Sequence, residues 1–305
     1  MGISCQQALE CFQSDDLIGI GMEADAVRRR LHPEGVVSYA IEYAVSMTGV
    51  EDGAGEALLY DEIRQAIDLG STGVRLIGGH SANSKDCEIE WFEGILRGTR
   101  QRFPSLWLEG PSPTVIVALA AGGNLDIHET IARLRDAGLN SIAGGVELQT
   151  SSLAEWIEVH RAAHGLGMRT AATMAFGAGE TLEQRVDRLE AIRQLQEEAG
   201  GFATFVPLAA EAPGGRELDA VTAVEQLKTL AIARIFLDNM ENIQWNGTAQ
   251  GLKVLQMGLR FGANDAGSVS PVGDGISEED LRRIIRDAGF QPVQRDTPYR
   301  TMFLN

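Results

Sequence analysis

The residues able to do chemistry in this chain are grouped by position rather than by motif. Carboxylates, amides, a histidine and paired glycines recur just after short runs that read as β-strands. They are Glu51 and Asp52; Gly78, Gly79, His80 and Asn83; Glu109; Glu147; Glu180; Glu211; Gln244, Trp245 and Asn246; and Asn264 with Asp265. Glu51, His80, Glu109 and Asp265 are of types that move protons, which is general acid/base chemistry once burial tunes them. Gly78 and Gly79 let a backbone approach a ligand closely, or simply make a turn. By composition alone Glu51 and Asp52 read as a solvated acidic loop, and His80 as a solvated loop residue. No spacing of His, Cys and carboxylate matches a metal set, and no GxSxG, P-loop or dinucleotide fingerprint is present.

The elements that must position these residues are organised around residues 35–59, GVVSYAIEYAVSMTGVEDGAGEALL. Val36, Val37, Tyr39, Ile41, Tyr43 and Val45 make a near-alternating β-branched and aromatic run, which reads as a strand. Residues 46–55 turn the chain, and Leu59, Ile63 and Ile67 then recur at helical spacing. Before this unit, residues 3–12 and 15–31 read as helices, the second with Ser14 as a cap. After it, strands are expected at 72–77, 106–109, 140–143, 169–176, 202–208 and 242–245. Helices are expected at 86–102, 114–121, 127–137, 153–166, 180–199, 221–238, 249–260 and 278–288, with a Gly/Asn/Asp turn at 262–268 and an irregular tail. Strands recurring about every 30 residues with helices between them argue for right-handed βαβ units. The fold expected is a TIM-type (βα) barrel, complete or partial, with N-terminal helices over 1–34, the barrel over 35–270 and a C-terminal helical extension over 271–305. In such a barrel, chemistry sits where the strands end.

The bulk properties narrow the function. The chain has 305 residues, 43 acidic and 26 basic, for a formal net charge of -17. Such a surface repels phosphate backbones and anionic lipid, which argues against nucleic-acid or membrane binding but leaves room for a small nucleoside in a local pocket. Cys5, Cys11 and Cys87 are too few and too scattered for a disulfide framework. The chain shows no signal-peptide pattern and no apolar run near 18 residues, so a cytoplasmic protein is expected.

Several runs carry a family resemblance: GMRTAATMAFGAGETLEQRVDRL, LQEEAGGFATFVPL, LKTLAIARIFLDNMENIQ, AQGLKVLQMGLRFGANDAGS, IRDAGFQPVQRDTPY and, near the start, ADAVRRRLHP. Through them the chain resembles the dehypoxanthine futalosine cyclase group, radical S-adenosylmethionine (SAM) enzymes of the futalosine route to menaquinone. That resemblance implies a CxxxCxxC loop after the first strand, whose three thiolates hold a 4Fe-4S cluster. Placed on this chain after Thr48, Gly49 and Val50, the three cysteine positions fall on Glu51, Gly55 and Leu58, none of them a thiol. The resemblance matches Gly78 and Gly79 to the SAM-contacting glycines, without the proline that follows them in the family. It matches Gly145 and Glu147 to the fourth-strand pair whose carboxylate binds the SAM ribose. Glu109 falls near the family's His-containing third strand. The turns with Glu180 and Arg185, and with Asn264 and Asp265, are intact and suit either substrate binding or the barrel frame.

These matches set the functional expectation: no 4Fe-4S cluster, no metal, and SAM or a related nucleoside as the remaining ligand. A non-radical pseudoenzyme of the futalosine pathway follows, either a homo-oligomer or one half of a heterodimer with an active paralogue. The alternative is a repurposed enzyme doing acid/base chemistry on a nucleoside-like or SAM-like ligand in the vacated barrel.

Overall fold

A computed structural model describes residues 2–50, 53–78, 88–144, 152–210, 221–247, 251–272 and 275–303. Two helices lead in, α1 (Cys5–Gln13) and α2 (Leu17–Leu31). Ser4 and Gln7 form a reciprocal cap on α1. The cap of α2 is Asp16, which accepts from the Gly19 N–H at 2.8 Å; the expected cap, Ser14, instead closes α1 and accepts from the Asp16 N–H.

The barrel follows as β1 (Val36–Ser46), α3 (Gly53–Asp68), β2 (Gly73–Ile77), α4 (Ile89–Arg102), β3 (Trp107–Glu109), α5 (Pro113–Gly123), α6 (Ile127–Ala137), α7 (Leu153–Gly165), β4 (Thr170–Phe176), α8 (Leu182–Ala199), β5 (Phe202–Ala209), α9 (Ala223–Phe236), β6 (Asn242–Ile243), α10 (Leu252–Gly258) and β7 (Asp265–Val269). Then come α11 (Glu278–Asp287), β8 (Gln291–Arg295) and β9 (Met302–Phe303). Parallel pairing runs β7–β1–β2–β3 and, separately, β4–β5–β6. Single bridges extend both runs, Glu109 to Ser141 and Gln244 to Asp265, so the strands curl into a ring. The seam between Ser141 and β4 has no ladder among the described residues. There Gly144 packs so closely on Thr173 and the Ala171 carbonyl that a Cβ would not fit. The architecture is a partial TIM-type α/β barrel.

Strand alternation sorts the side chains, because successive residues face opposite sides of a sheet. Val37, Tyr39, Ile41 and Val45 of β1, Val74 and Leu76 of β2, Leu108 of β3, Met174 and Phe176 of β4 and Phe205 of β5 are buried under the helices. Their neighbours Glu42, Arg75, Trp107, Glu109, Thr173, Thr204 and Val206 line the interior. Two apolar clusters surround the ring. One lies under α1, α2, α8, α9 and α11, with Trp156, Phe205, Phe236 and Trp245 at its centre. The other lies under α3 to α7, with Phe92, Ile95, Leu108 and Leu134.

Three expectations change. Residues 140–143 make no strand ladder, only the Ser141 bridge, because the Asn140 side chain itself accepts the Leu108 N–H at 2.9 Å. The expected turn at 262–268 is a turn only at Gly262, whose φ is 107°, and continues as β7. The irregular tail is β8 and β9: β8 pairs in parallel with β1, Val36 opposite Gln291 through Ala40 opposite Arg295, so the last residues are stitched to the first strand. Pro292 is tolerated there because β9 reaches only Gln294 and Arg295 and asks for no donor at Pro292. Among the described residues no helix is long and apolar enough to cross a membrane.

Candidate functional site: the barrel chamber

The ring encloses a cavity of about 360 Å³. Charged groups stand in a largely apolar wall, at the inward positions of the strands. Arg75 donates to Glu109 at 2.6 Å, and its guanidinium lies 3.9 Å from Glu42. Glu42 also lies 3.8 Å from Arg295. Burial pushes the Glu42 carboxyl above its ordinary range; Arg295 and Arg75 pull it back, while the Glu109 charge adds to the rise. The Glu109 carboxylate raises the Arg75 guanidinium in turn and keeps it charged.

The floor of the chamber comes from the C-terminal tail. Thr297 sits against Gly73, the first residue of β2, and against Thr72, so residues 296–301 lie at the N-terminal ends of the strands. Arg295 is 1% exposed and donates to Asp265 at 2.5 and 3.0 Å. It also donates to the Tyr299 hydroxyl at 2.9 Å and stacks on that ring, 3.7 Å from the centroid. Burial raises the Tyr299 phenol, which stays protonated and donates to Gln244 at 3.4 Å.

The residues singled out from sequence fall in three places. Glu109, Gln244 and Asn246 are on the chamber wall. Gly78 follows β2 with φ 71°, at the mouth beside Thr48, in a conformation that suits glycine. Glu51, Gly79, His80, Gly145 and Glu147 lie outside the described residues, as does Cys87. Glu180, Arg185, Asn264 and Asp265 are engaged in buried networks off the chamber wall. Glu180 accepts the Gly177 and Ala178 N–H groups, and Arg185 reaches Glu180, Glu225 and Thr229. Although burial opposes its charge, these backbone donors and Arg185 hold the Glu180 carboxyl below its ordinary range. Asn264 accepts from the Ile243 N–H at 2.8 Å and from Arg234 at 2.6 Å, and donates to Asn242 at 2.9 Å. Asp265 takes Arg295, Ser38 and the Gly267 N–H. Of the four, only Asp265 touches a chamber residue, and it does so from behind. Glu42, Arg75, Arg169 and Arg295 were not singled out. Their signal was a lone charge inside or at the edge of a β-like run, in VVSYAIEYAVS, TGVRLI, RTAATMAF and QPVQR.

The cluster and SAM that the resemblance implies belong at the mouth, after β1, and the described residues there do not fit a thiolate-held cluster. Gly55 has no ligating side chain and lies in the first turn of α3, where a Cβ would come 2.4 Å from the Gly49 carbonyl oxygen and 3.0 Å from the Val50 Cα. The aliphatic Leu58 side chain is 68% exposed. Cys5 and Cys11 belong to α1, which packs on α8 and α9, and neither is near this loop in sequence or in element contacts. Among the described residues no three His, Cys, Asp or Glu side chains converge as a metal set.

Known proteins agree with this architecture. Residues 199–304 match the C-terminal region of the CofH/MqnC family. The chain is 30% identical to the cyclic dehypoxanthine futalosine synthase of Streptomyces coelicolor, with 99% of this chain and 86% of that protein covered. That alignment runs over 348 positions, more than the 305 residues of this chain, so the relative carries segments this chain lacks. It is 29% identical to the aminodeoxyfutalosine synthase of Thermus thermophilus, over 98% of this chain and 92% of the relative. It is 33% identical to the 5-amino-6-(D-ribitylamino)uracil–L-tyrosine 4-hydroxyphenyl transferase of Methanococcoides burtonii, over 79% and 76%. Among solved structures, methylornithine synthase superposes with a TM-score of 0.66 over 96% of this chain and 94% of that one, at 13% identity. The FeFe-hydrogenase maturase HydG of Carboxydothermus hydrogenoformans gives 0.68 over 98% and 78%, at 15% identity. These two share the fold. By sequence, over nearly its whole length, the chain belongs to the radical SAM menaquinone-biosynthesis family that includes cyclic dehypoxanthine futalosine synthase.

Proposed function

We propose that this chain is a cluster-free member of its family: a cytoplasmic, non-radical pseudoenzyme that binds a nucleoside-like or SAM-like ligand in the barrel. It would serve the futalosine route to menaquinone as a homo-oligomer or as the partner subunit of an active paralogue. One observation carries the reading. Two of the three positions where the family places thiolates are Gly55 and Leu58, which cannot ligate iron, and a cluster needs specific thiolate placement. The chamber beneath supports retained binding, since a largely apolar wall with a few charged groups, and its volume, suit a small ligand. Gly78 and, outside the described residues, Gly79, Gly145 and Glu147 are the contacts assigned to the adenosine end.

The test has two parts. After anaerobic iron and sulfide reconstitution the protein should stay colourless and form no 5′-deoxyadenosine from SAM under reducing conditions; a stoichiometric four-iron cluster overturns the proposal. Calorimetry with SAM, S-adenosylhomocysteine and a futalosine-type nucleoside should then detect binding. Glu147→Gln, which removes a charge-assisted contact to the ribose diol, should weaken it roughly tenfold or more. If none of the three binds the wild type at millimolar concentration, the ligand-binding reading fails and a scaffold role is left.

The Glu42–Arg75–Glu109 group supports a second reading, a repurposed acid/base enzyme. A carboxyl raised by burial beside a second carboxylate held by arginine is an arrangement that separates acid from base. Turnover of a bound nucleoside by the wild type, lost in Glu42→Gln with binding retained, would favour it.

A further inference from the structure

Three arginines line the chamber, and two of them are matched. Arg75 has Glu109 at 2.6 Å, and Arg295 has Asp265 at 2.5 Å. The third, Arg169, has no hydrogen bond, ion pair or ring contact among the described residues, although it is half-buried and faces the same cavity. It directly precedes β4, and its place on the wall is fixed by the next residue: the Thr170 hydroxyl bridges His160 and His164 at 2.9 Å each. Trp107, the first residue of β3, lines the same cavity, and its indole N–H has no acceptor among the described residues. Pro298 and Tyr299 are part of the same lining. This is the N-terminal end of the barrel, opposite the mouth where the family's cofactor loop lies.

We propose that Arg169 makes this end of the chamber a subsite for an oxyanion, a carboxylate or phosphate group carried by a small ligand. The inference rests on the reading of the chamber as a ligand-binding site and names the chemistry of its deep end. A guanidinium is a fork of donors that matches an oxyanion in two parallel hydrogen bonds. Held in a partly dehydrated chamber without a counter-charge among the described residues, it gains most from a ligand that brings one. The molecule as a whole, at a net charge of -17, repels anions. Oxyanion binding therefore needs a local unpaired cation, and Arg169 supplies it.

The experiment is a thermal-melt titration of the full chain with sodium phosphate and with sodium acetate, against sodium chloride at matched ionic strength. At least one oxyanion should raise the melting temperature saturably in the millimolar range, as a ligand of the folded state must. Arg169→Gln should weaken the apparent affinity roughly tenfold or more, and Arg169→Lys should fall between because lysine offers a point charge rather than a fork. Arg300→Gln, on the outer side of Trp107, should bind like the wild type. A stronger response to phosphate identifies a phosphoryl group, and an equal or stronger response to acetate a carboxylate. In chloride, Arg169→Gln should melt no lower than the wild type, since the charge it removes has no partner among the described residues. The proposal is overturned if neither oxyanion stabilises beyond chloride, if Arg169→Gln keeps the full response, or if it melts well below the wild type in chloride. None of those outcomes bears on the nucleoside calorimetry, so failure here and failure of the ligand-binding reading are told apart.

Discussion

Asp265 separates a ligand-binding role from a structural one most sharply, and Asp265→Asn is the perturbation. The wild-type carboxylate is fully buried and accepts from the Arg295 Nε and Nη2 at 2.5 and 3.0 Å, from the Ser38 hydroxyl at 2.5 Å and from the Gly267 N–H at 2.8 Å. The amide keeps the shape but loses the charge, and its NH2 group faces donors. Among the described residues, Arg295, 1% exposed, is left with only distant Glu42 at 3.8 Å as a counter-charge. Removing one partner of a buried pair costs about 3–5 kcal/mol, because the other charge stays buried and unpaired. With an unfolding entropy of about 2.1 cal/mol/K per residue, a chain of this length should lose about 5–8 °C in Tm. Calorimetric melts of wild type, Asp265→Asn, Arg295→Met and the double variant give the coupling; the double variant should be less destabilised than the sum of the singles. Glu42→Gln, whose ion-pair distances are long and whose amide oxygen can still accept from Ser268, should stay within about 1 kcal/mol of wild type. An Asp265→Asn protein that melts within a degree of wild type, yet fails to bind nucleoside, would refute the assignment of Asp265 to the frame.

Two further outcomes are expected. Burial lowers the imidazoles of His160 and His164 to about 3 and about 4, with the two rings also opposing each other's charge at His160. Because the folded values lie below the unfolded one, stability is full above about pH 6.5 and falls as pH drops toward 4; between pH 7 and 5 the two together should cost about 4 kcal/mol. Denaturant titrations at pH 7, 6 and 5 check this, and no loss down to pH 5, or an unchanged slope in His160→Gln/His164→Gln, counts against it. Gly55→Ala should destabilise by about 1–3 kcal/mol through the clash with the Gly49 carbonyl, the reverse of the usual gain for Gly→Ala in a helix. A stabilised variant would mean that the mouth has room for a side chain at a thiolate position.

Elements with strong periodicity were legible: β1 and β2, α2 and α6 to α9 stand within a few residues of their expected bounds. The misses share a cause. Residues 262–268 are small and polar and read locally as a turn. They become a strand because Arg234, fully buried on α9, donates to the Gly262 carbonyl and to Asn264, and because Arg295 arrives from the far end of the chain. QPVQR carries little β-propensity of its own and is strand only because β1 offers it an edge. Of the site, Glu109, Gln244 and Asn246 were reachable from their place after a strand, whereas Glu42, Arg75 and Arg169 required knowing that inward strand positions form one chamber. Partners this far apart in sequence leave no local pattern.

The family likeness and the chamber draw on different residues of this chain. The turns GETLEQR and GANDAGS carried much of the likeness, and in the fold they are held by Glu180–Arg185 and by Asn264–Asp265, buried and facing the frame. A sequence can keep them for stability alone, since breaking any one strands a buried charge. The chamber is a different set of residues, and its charges nearly cancel: Glu109 answers Arg75, Asp265 answers Arg295, and Glu42 sits between two guanidiniums at distances too long for hydrogen bonds. Among the described residues, Arg169 is the chamber arginine with no hydrogen bond or ion pair. An anionic ligand would, on the proposal above, complete the electrostatics of a chamber whose mouth has Gly55 and Leu58 in α3.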